Sequence, residues 1–153
     1  MAIGLTLKKY LADNGIAYDT LSHSHTSSSM NTAQSAHIPG KNLAKSVILE
    51  DNDGYVMAVI PANEHLKFRK VNHALHRKMG MATEPELETL FTDCELGAIP
   101  AVGSAYSMDS IIDDRLADCA DIYFEAGDHE ELIHMKGSAY RQLMKGSQYA
   151  TIC

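Results

Sequence analysis

The sequence predicts an α/β (α+β) fold in which helices surround one mixed β-sheet. Three observations predict it. Residues 45–50 (KSVILE) and 55–60 (YVMAVI) are apolar and rich in β-branched side chains, and 51–54 (DNDG) is a strong turn, so together they form a hairpin. Strand-like and helix-like segments interleave along the chain without a regular βαβ repeat, which favours one mixed sheet over a doubly wound one. The length of 153 residues suits one core, so the whole chain, 1–153, is read as a single domain.

The elements follow in order. Thr6 can cap a first helix that places Leu7 and Leu11 on one face and ends at Gly15. A short strand is expected over 16–22. Residues 23–30 (HSHTSSSM) read as a loop, and a helix starting near Asn31 or Thr32 stops before Pro39. The second hairpin strand, YVMAVI, lacks polar alternation, which predicts burial on both faces. Residues 66–79 carry Leu66, Val71, Leu75 and Met79 near one helical face. Thr83 and Pro85 open a helix over 84–91. Residues 98–102 and 105–108 are expected as short strands around Gly103, and 109–116 fit no single pattern. Residues 120–126 and 131–136 predict a second strand pair about Gly127-Asp128-His129, and 138–145 a last helix capped by Ser138 and ended by Gly146.

Charge narrows the function classes. Acids outnumber bases 20 to 13, a formal charge of −7, so a general polyanion binder is excluded and any such contact must be local. One stretch qualifies: 65–78 holds Lys67, Arg69, Lys70, Arg77 and Lys78 and no acid. The alternative is a solvated helix face. Cys94, Cys119 and Cys153 include no C-x-x-C pair, which fits a reducing, cytoplasmic compartment better than a disulfide framework or zinc ribbon. Residues 1–9 do not read as a signal peptide, and no apolar run reaches the roughly 20 residues that span a bilayer.

The sequence has no G-x-G-x-x-G, G-x-x-x-x-G-K-[ST], H-E-x-x-H or G-x-S-x-G. Four features remain. Lys45 opens an apolar strand, where a cation could hold a carboxylate or phosphate or stabilise an oxyanion; a strand-end lysine reaching water is the plain alternative. Gly97, Ala98, Ile99, Pro100, Ala101, Val102 and Gly103 form a loop whose glycines let backbone N–H groups approach a ligand, or simply a tight turn. His129 after a glycine turn could act as a base or position water, or merely occupy a hairpin turn. His23 and His25 could share a strand face as metal ligands, but no third ligand stands at a recognisable spacing, so no metal is assigned.

These pieces occur in a familiar order: A-K-S at 44–46 before a strand, V-I-P-A at 59–62 after the next, G-A-I-P-A-V-G at 97–103, and a late A-G strand–turn at 126–127. Over roughly residues 5–145 the chain resembles the YbaK/EbsC family of aminoacyl-tRNA deacylases, relatives of the editing domain of bacterial prolyl-tRNA synthetases. The resemblance implies a mixed or barrel-like sheet with outer helices. It implies hydrolysis of the ester joining a small noncognate amino acid, alanine or cysteine, to tRNA(Pro). A catalytically silent RNA- or nucleotide-binding relative is the other class. The family's central lysine matches Lys45, with Ser46 at the same site. The loop 97–103 matches the segment that binds the aminoacyl adenosine. His129 matches a histidine of alanyl-specific members, and Met30 an apolar pocket position. Ala101 departs from a commoner proline. The implied partner is the aminoacylated 3′ end of tRNA, met by the basic stretch, with a synthetase as a candidate companion. No cofactor is implied, and a monomer or weak homodimer is expected. Water activation is left between Lys45, His129, a backbone carbonyl and the substrate's own hydroxyl.

Overall fold

The computed structural model describes residues 4–25 and 29–153, except the side chains of 29 and 30. Helix α1 (Leu5–Asp13) leads to β1 (Asp19–Ser22) and α2 (Ser29–Ala36). The hairpin β2 (Leu43–Asp51) and β3 (Gly54–Pro61) follows, then α3 (Phe68–Leu75), β4 (Gly80–Met81) and α4 (Glu84–Leu90). The second half contains β5 (Asp109–Asp113), β6 (Asp121–Glu125), β7 (Glu131–Lys136), α5 (Gly137–Leu143) and β8 (Gln148–Ala150). The strands form one mixed sheet in the order β1-β7-β6-β2-β3-β5-β8, with β4 beside β2. Strand β2 pairs antiparallel with β3 and parallel with β6, so it stands near the middle.

Period-two alternation sorts the strand residues onto two faces. Ala44, Ile48, Met57, Val59, Ile112, Ile122 and Phe124 join the larger core with Leu7 and Leu11 of α1 and Tyr140 and Leu143 of α5. Leu49, Val56, Ala58, Ile60 and Ile111 point the other way and pack with Val71 of α3, Met79 and Ile152. Residues 56–60 of β3 are therefore apolar at every position because both faces are covered, as its unbroken pattern predicts. A third cluster joins Leu43, Ala33, Ala62 and Leu132 where α2 crosses the ends of β2 and β7. Among the described residues no helix is long and apolar enough to cross a membrane.

Several local expectations change. Gly4, not Thr6, is the N-cap of α1, and the Thr6 backbone N–H donates to Asp93 Oδ2 at 2.8 Å. The helix expected over 66–79 covers only Phe68–Leu75, because His76 turns left-handed (φ 54°) and the N–H of Met79 is taken by Asn72 Oδ1 at 2.9 Å. The strand expected over 98–102 is an irregular loop, and a 3-10 turn, Gly103–Tyr106, replaces the one expected over 105–108. The strand lies next, at β5, in the segment without a clear pattern. Lys136, not Ser138, is the N-cap of α5, and β8 lies beyond the last expected element. Thr83 behaves as expected: it forms a reciprocal capping box with Glu86.

Candidate functional site

The parallel pairing of β2 with β6 covers two positions, Leu43 opposite Tyr123 and Ala44 opposite Phe124. Lys45 and Glu125 are the next residues of each strand. Alternation puts Lys45 on the face of Leu43, and Glu125 on the face of Tyr123. Beyond that point β6 ends at Glu125, while β2 runs on and next pairs with β4 at Leu49 and Glu50, which leaves a gap in the ladder beside Lys45 and Ser46. Lys45 is half-buried, and among the described residues its ammonium makes no hydrogen bond or ion pair.

The loop 97–103 bridges the gap and is pinned by its carbonyls. His129 Nε2 lies 2.7 Å from Leu96 O, the Ser46 hydroxyl donates to Ile99 O at 2.9 Å, and the Tyr140 hydroxyl donates to Ala101 O at 2.6 Å. The three anchors come from the β6–β7 turn, from β2 and from α5; the first holds the residue before the loop and the other two hold the loop itself. Ala98, Ile99, Pro100, Ala101, Val102 and Gly103 are buried, while Gly97 is exposed. The N–H groups of Ile99, Ala101 and Val102 make no hydrogen bond among the described residues. Buried backbone donors are nearly always paired, which makes these three candidates for an acceptor outside the chain; Ile99 is 8% exposed, whereas Ala101 and Val102 are fully buried. Gly103 serves packing: a Cβ there would stand 2.3 Å from Ser110 Oγ and 2.9 Å from Met108 O.

The β6–β7 turn is strained and buried. Gly127 (φ 123°) and His129 (φ 59°) both take positive φ, and for a non-glycine residue that costs on the order of 1–2 kcal/mol. Asp128 Oδ1 holds the turn by accepting from the N–H groups of Glu130 and Glu131, each at 3.0 Å. Glu125, buried at the end of β6, has Oε2 3.3 Å from His129 Nδ1 and Oε1 3.5 Å from His23 Nε2. The hydroxyl of Thr32 on α2 donates to Glu125 Oε2 at 2.9 Å. Burial pushes the Glu125 carboxyl above the usual range, while Thr32 and the histidines pull the other way. Both ring nitrogens of His129 face protein atoms, Nε2 the carbonyl of Leu96 and Nδ1 the carboxylate of Glu125.

Other expected residues divide. His23 goes to Glu125 and His25 to Glu95 (3.0 Å), so the two histidines face different carboxylates. The Glu95 hydrogen bond raises the His25 pKa above its ordinary value. Among the described residues no group of three or more His, Cys, Asp or Glu is arranged to hold a metal. The basic stretch is not one helix face: Arg77 and Lys78 lie past the end of α3. Arg77 is spent on a bidentate pair with Asp51 (2.7 and 2.5 Å), which brings the Asp51 carboxyl down to about 2. Lys70 donates to Cys153 O at 2.8 Å. Lys67, Arg69 and Lys78 are exposed, and an open concavity of about 610 Å³ lies beside Arg69, Lys70 and His73. The side chain of Met30 lies outside the described residues.

Glu125, Thr32 and Tyr140 escaped the reading of the sequence. Glu125 alone left a signal there: an acid between Phe124 and Ala126 in an otherwise apolar strand end.

The family model for the aminoacyl-tRNA editing domain matches residues 23–143. A search of curated proteins gave no match. Among solved structures, the chain is similar to a proposed trans-editing enzyme for prolyl tRNA synthetase, with TM-score 0.84 and 17% identity over 96% of this chain and 94% of that one. It is also similar to part of a proposed signal transduction protein from Marinobacter aquaeolei VT8, with TM-score 0.80 and 21% identity over 97% of this chain and 30% of that one. A third similar structure comes from a study of epitope backbone grafting onto scaffold proteins (TM-score 0.83, 13% identity, 96% of this chain and 94% of that one). At these identities the structures speak for the fold, and the family model speaks for the family. The mixed sheet, the ordered motifs and the match over 23–143 agree: this chain belongs to the aminoacyl-tRNA editing domain family.

Proposed function

We propose that this protein is a cytoplasmic trans-editing hydrolase. It cleaves the ester of a mischarged tRNA carrying a small amino acid, with alanine on tRNA(Pro) as the first candidate and cysteine as the second. The observation that carries this reading is the loop at the β2–β6 gap. Its carbonyls are tied back into the protein, and the N–H groups of Ile99, Ala101 and Val102 are left unspent. An ester carbonyl seated there would gain hydrogen bonds as its oxygen becomes an oxyanion. Lys45 adds a cation at the rim, suited to the terminal phosphate or the developing charge. Ser46 acts through the loop by holding Ile99. Because both His129 nitrogens face protein atoms, the substrate's vicinal ribose hydroxyl is the first candidate for placing the water, with His129, Lys45 and a backbone carbonyl as the others. Water attacks the carbonyl carbon, the bond to the ribose oxygen breaks, and the proton lost by water ends on that oxygen. No covalent nucleophile takes part. Among the described residues the cysteines are free, and burial raises the Cys94 thiol to about 12, which makes it a poor thiolate.

The acceptor stem would meet Lys67, Arg69 and Lys70, with Lys78 further along the same stretch. Arg77 contributes less because Asp51 already holds it. A synthetase is a candidate companion, and a monomer or weak homodimer suffices for such contact.

The experiment is a deacylation panel with tRNA(Pro) charged with Ala, Cys or Ser. Hydrolysis of the alanyl ester above the others supports the reading. If every ester stays intact while tRNA still binds, the chain is a silent RNA-binding relative instead. Charge reversal of Lys67, Arg69 and Lys70 is expected to weaken tRNA binding and flatten its salt dependence.

A further inference from the structure

The reaction proposed above gives no task to His23 or Glu125, yet both are buried beside His129, and the hydrogen bonds around them fix where protons must be. A neutral imidazole carries one N–H. His129 Nε2 lies 2.7 Å from the carbonyl oxygen of Leu96, which has no proton to give, so this nitrogen bears the hydrogen. His23 Nδ1 lies 2.7 Å from the carbonyl oxygen of Ser24, so it too bears a hydrogen. Each ring has then used its one neutral-state proton on a backbone acceptor. The remaining nitrogens, His129 Nδ1 and His23 Nε2, face the two oxygens of Glu125 at 3.3 and 3.5 Å. With neutral rings and an ionised Glu125, two nitrogen lone pairs would confront a carboxylate out of reach of water. That arrangement is repulsive. None of His129 Nδ1, His23 Nε2 and Glu125 Oε1 has a hydrogen-bond partner among the described residues. The cluster is therefore complete only with at least one added proton, shared between Glu125 and a histidine.

The surroundings favour that proton. His25 stands edge-on to His129, with ring centroids 5.6 Å apart, and carries Glu95 at its Nε2. Asp128 and Glu130 lie in the same turn as His129, and the Cys94 thiol and the backbone carbonyl of Asp93 lie behind it at Gly127. Thr32 is the contact from α2, and Lys45 follows the last β2 residue paired with β6. Glu95, Asp128 and Glu130 place acids near the cluster, and burial raises the Glu125 pKa in the same sense.

We propose that Glu125 is a positioning residue: a proton shared between its carboxyl and the facing ring nitrogens of His129 and His23 relieves their repulsion, so that His129 Nε2–H holds Leu96 and sets the start of the 97–103 loop. Loss of that proton restores the repulsion, frees the ring to turn and loosens the loop at Gly97. The consequence for catalysis rests on the editing reading above; the proton arrangement does not.

The test has two arms on the intact chain. The first needs no substrate. The 15N signals of the imidazoles and the amide of Gly97 are followed by NMR as pH rises. The wild type is expected to show His129 protonated at Nε2, with the Gly97 amide shifting along the titration of the cluster. In Glu125→Gln, whose amide can donate to one ring nitrogen without titrating, the Gly97 shift should disappear. The second arm is alanyl-tRNA deacylation. The wild-type kcat is expected to fall about tenfold as the cluster deprotonates, with KM changed little, and Glu125→Gln should lack that fall. A His129 found protonated only at Nδ1, a Gly97 shift unchanged in Glu125→Gln, or a stoichiometric metal in the purified protein would overturn the proposal. If no ester is hydrolysed, the editing reading fails while the NMR arm still decides the cluster.

Discussion

Strand β2 belongs to two regions of opposite character. On its β3 side it is paired from Ala44 opposite Pro61 to Asp51 opposite Gly54, and the partner strand is apolar and buried from Val56 to Ile60. On its β6 side the pairing ends after two positions, and what lies beyond is a buried acid, two histidines, a half-buried lysine and a left-handed turn. The hairpin is held by burial that needs no particular partner beyond volume and shape. The gap is held by a few directed bonds, each with one specific donor and acceptor. Substitution in the first region should lower stability and leave the chemistry of the folded molecules intact. Substitution in the second should do the reverse.

The largest expected effect is in the hairpin. Leu49 is fully buried in the core on the opposite face from the loop, and Leu49→Ala is expected to cost about 2–5 kcal/mol in urea unfolding with the activity per folded molecule kept. Gly103→Ala lies at the border of the two regions. Its Cβ has no room beside Ser110 Oγ and Met108 O, and a loss of about 1–3 kcal/mol is expected, with reduced activity because the loop ends there. Ser46→Ala removes the bond to Ile99 O, a loss of about 0.5–1.5 kcal/mol in stability, and the deacylation rate should fall by up to about tenfold if the loop must be held.

Two pH effects are smaller. Burial raises the folded-state pKa of Glu125 above its unfolded value, so its contribution to stability is present below the ordinary carboxylate range and declines as pH rises through the folded value. Glu125→Gln should flatten that side of the stability curve. Asp51 has the opposite sign: Arg77 lowers it to about 2, so its contribution is present above the ordinary carboxylate range and is lost as pH falls toward about 2. Arg77→Ala should return the Asp51 titration to the ordinary range, read by NMR, without any change in deacylation chemistry.

The same contrast explains what could be read from the sequence. The β2–β3 hairpin, the β6–β7 pair, the helix cap at Thr83 and the mixed sheet were legible because period, turn residues and caps are local signals. The loop 97–103 was legible as a unit through its two glycines and the resemblance, but not as an irregular segment; its Ala-Ile-Pro-Ala-Val run looks like a strand because it is buried, and burial alone does not make a ladder. Lys45 and Ser46 were found by motif. That Ser46 acts on Ile99, and Tyr140 on Ala101, could not be, since those contacts join residues 53 and 39 positions apart. His23 was noticed for its spacing with His25, whereas its partner proves to be Glu125 across the sheet. The shortened α3 shows the limit of periodicity: Leu66 and Met79 fit the face, but the left-handed His76 ends the helix first.

The central claim is that the gap between β2 and β6 is an ester-hydrolysing site with Lys45 at its rim. The most direct measurement is the rate of alanine release from Ala-tRNA(Pro) by the wild type and by Lys45→Ala, with urea unfolding as the check on folding. The account predicts rapid release by the wild type and a loss of at least about a hundredfold in Lys45→Ala at unchanged stability. A Lys45→Ala protein that deacylates at the wild-type rate would contradict it.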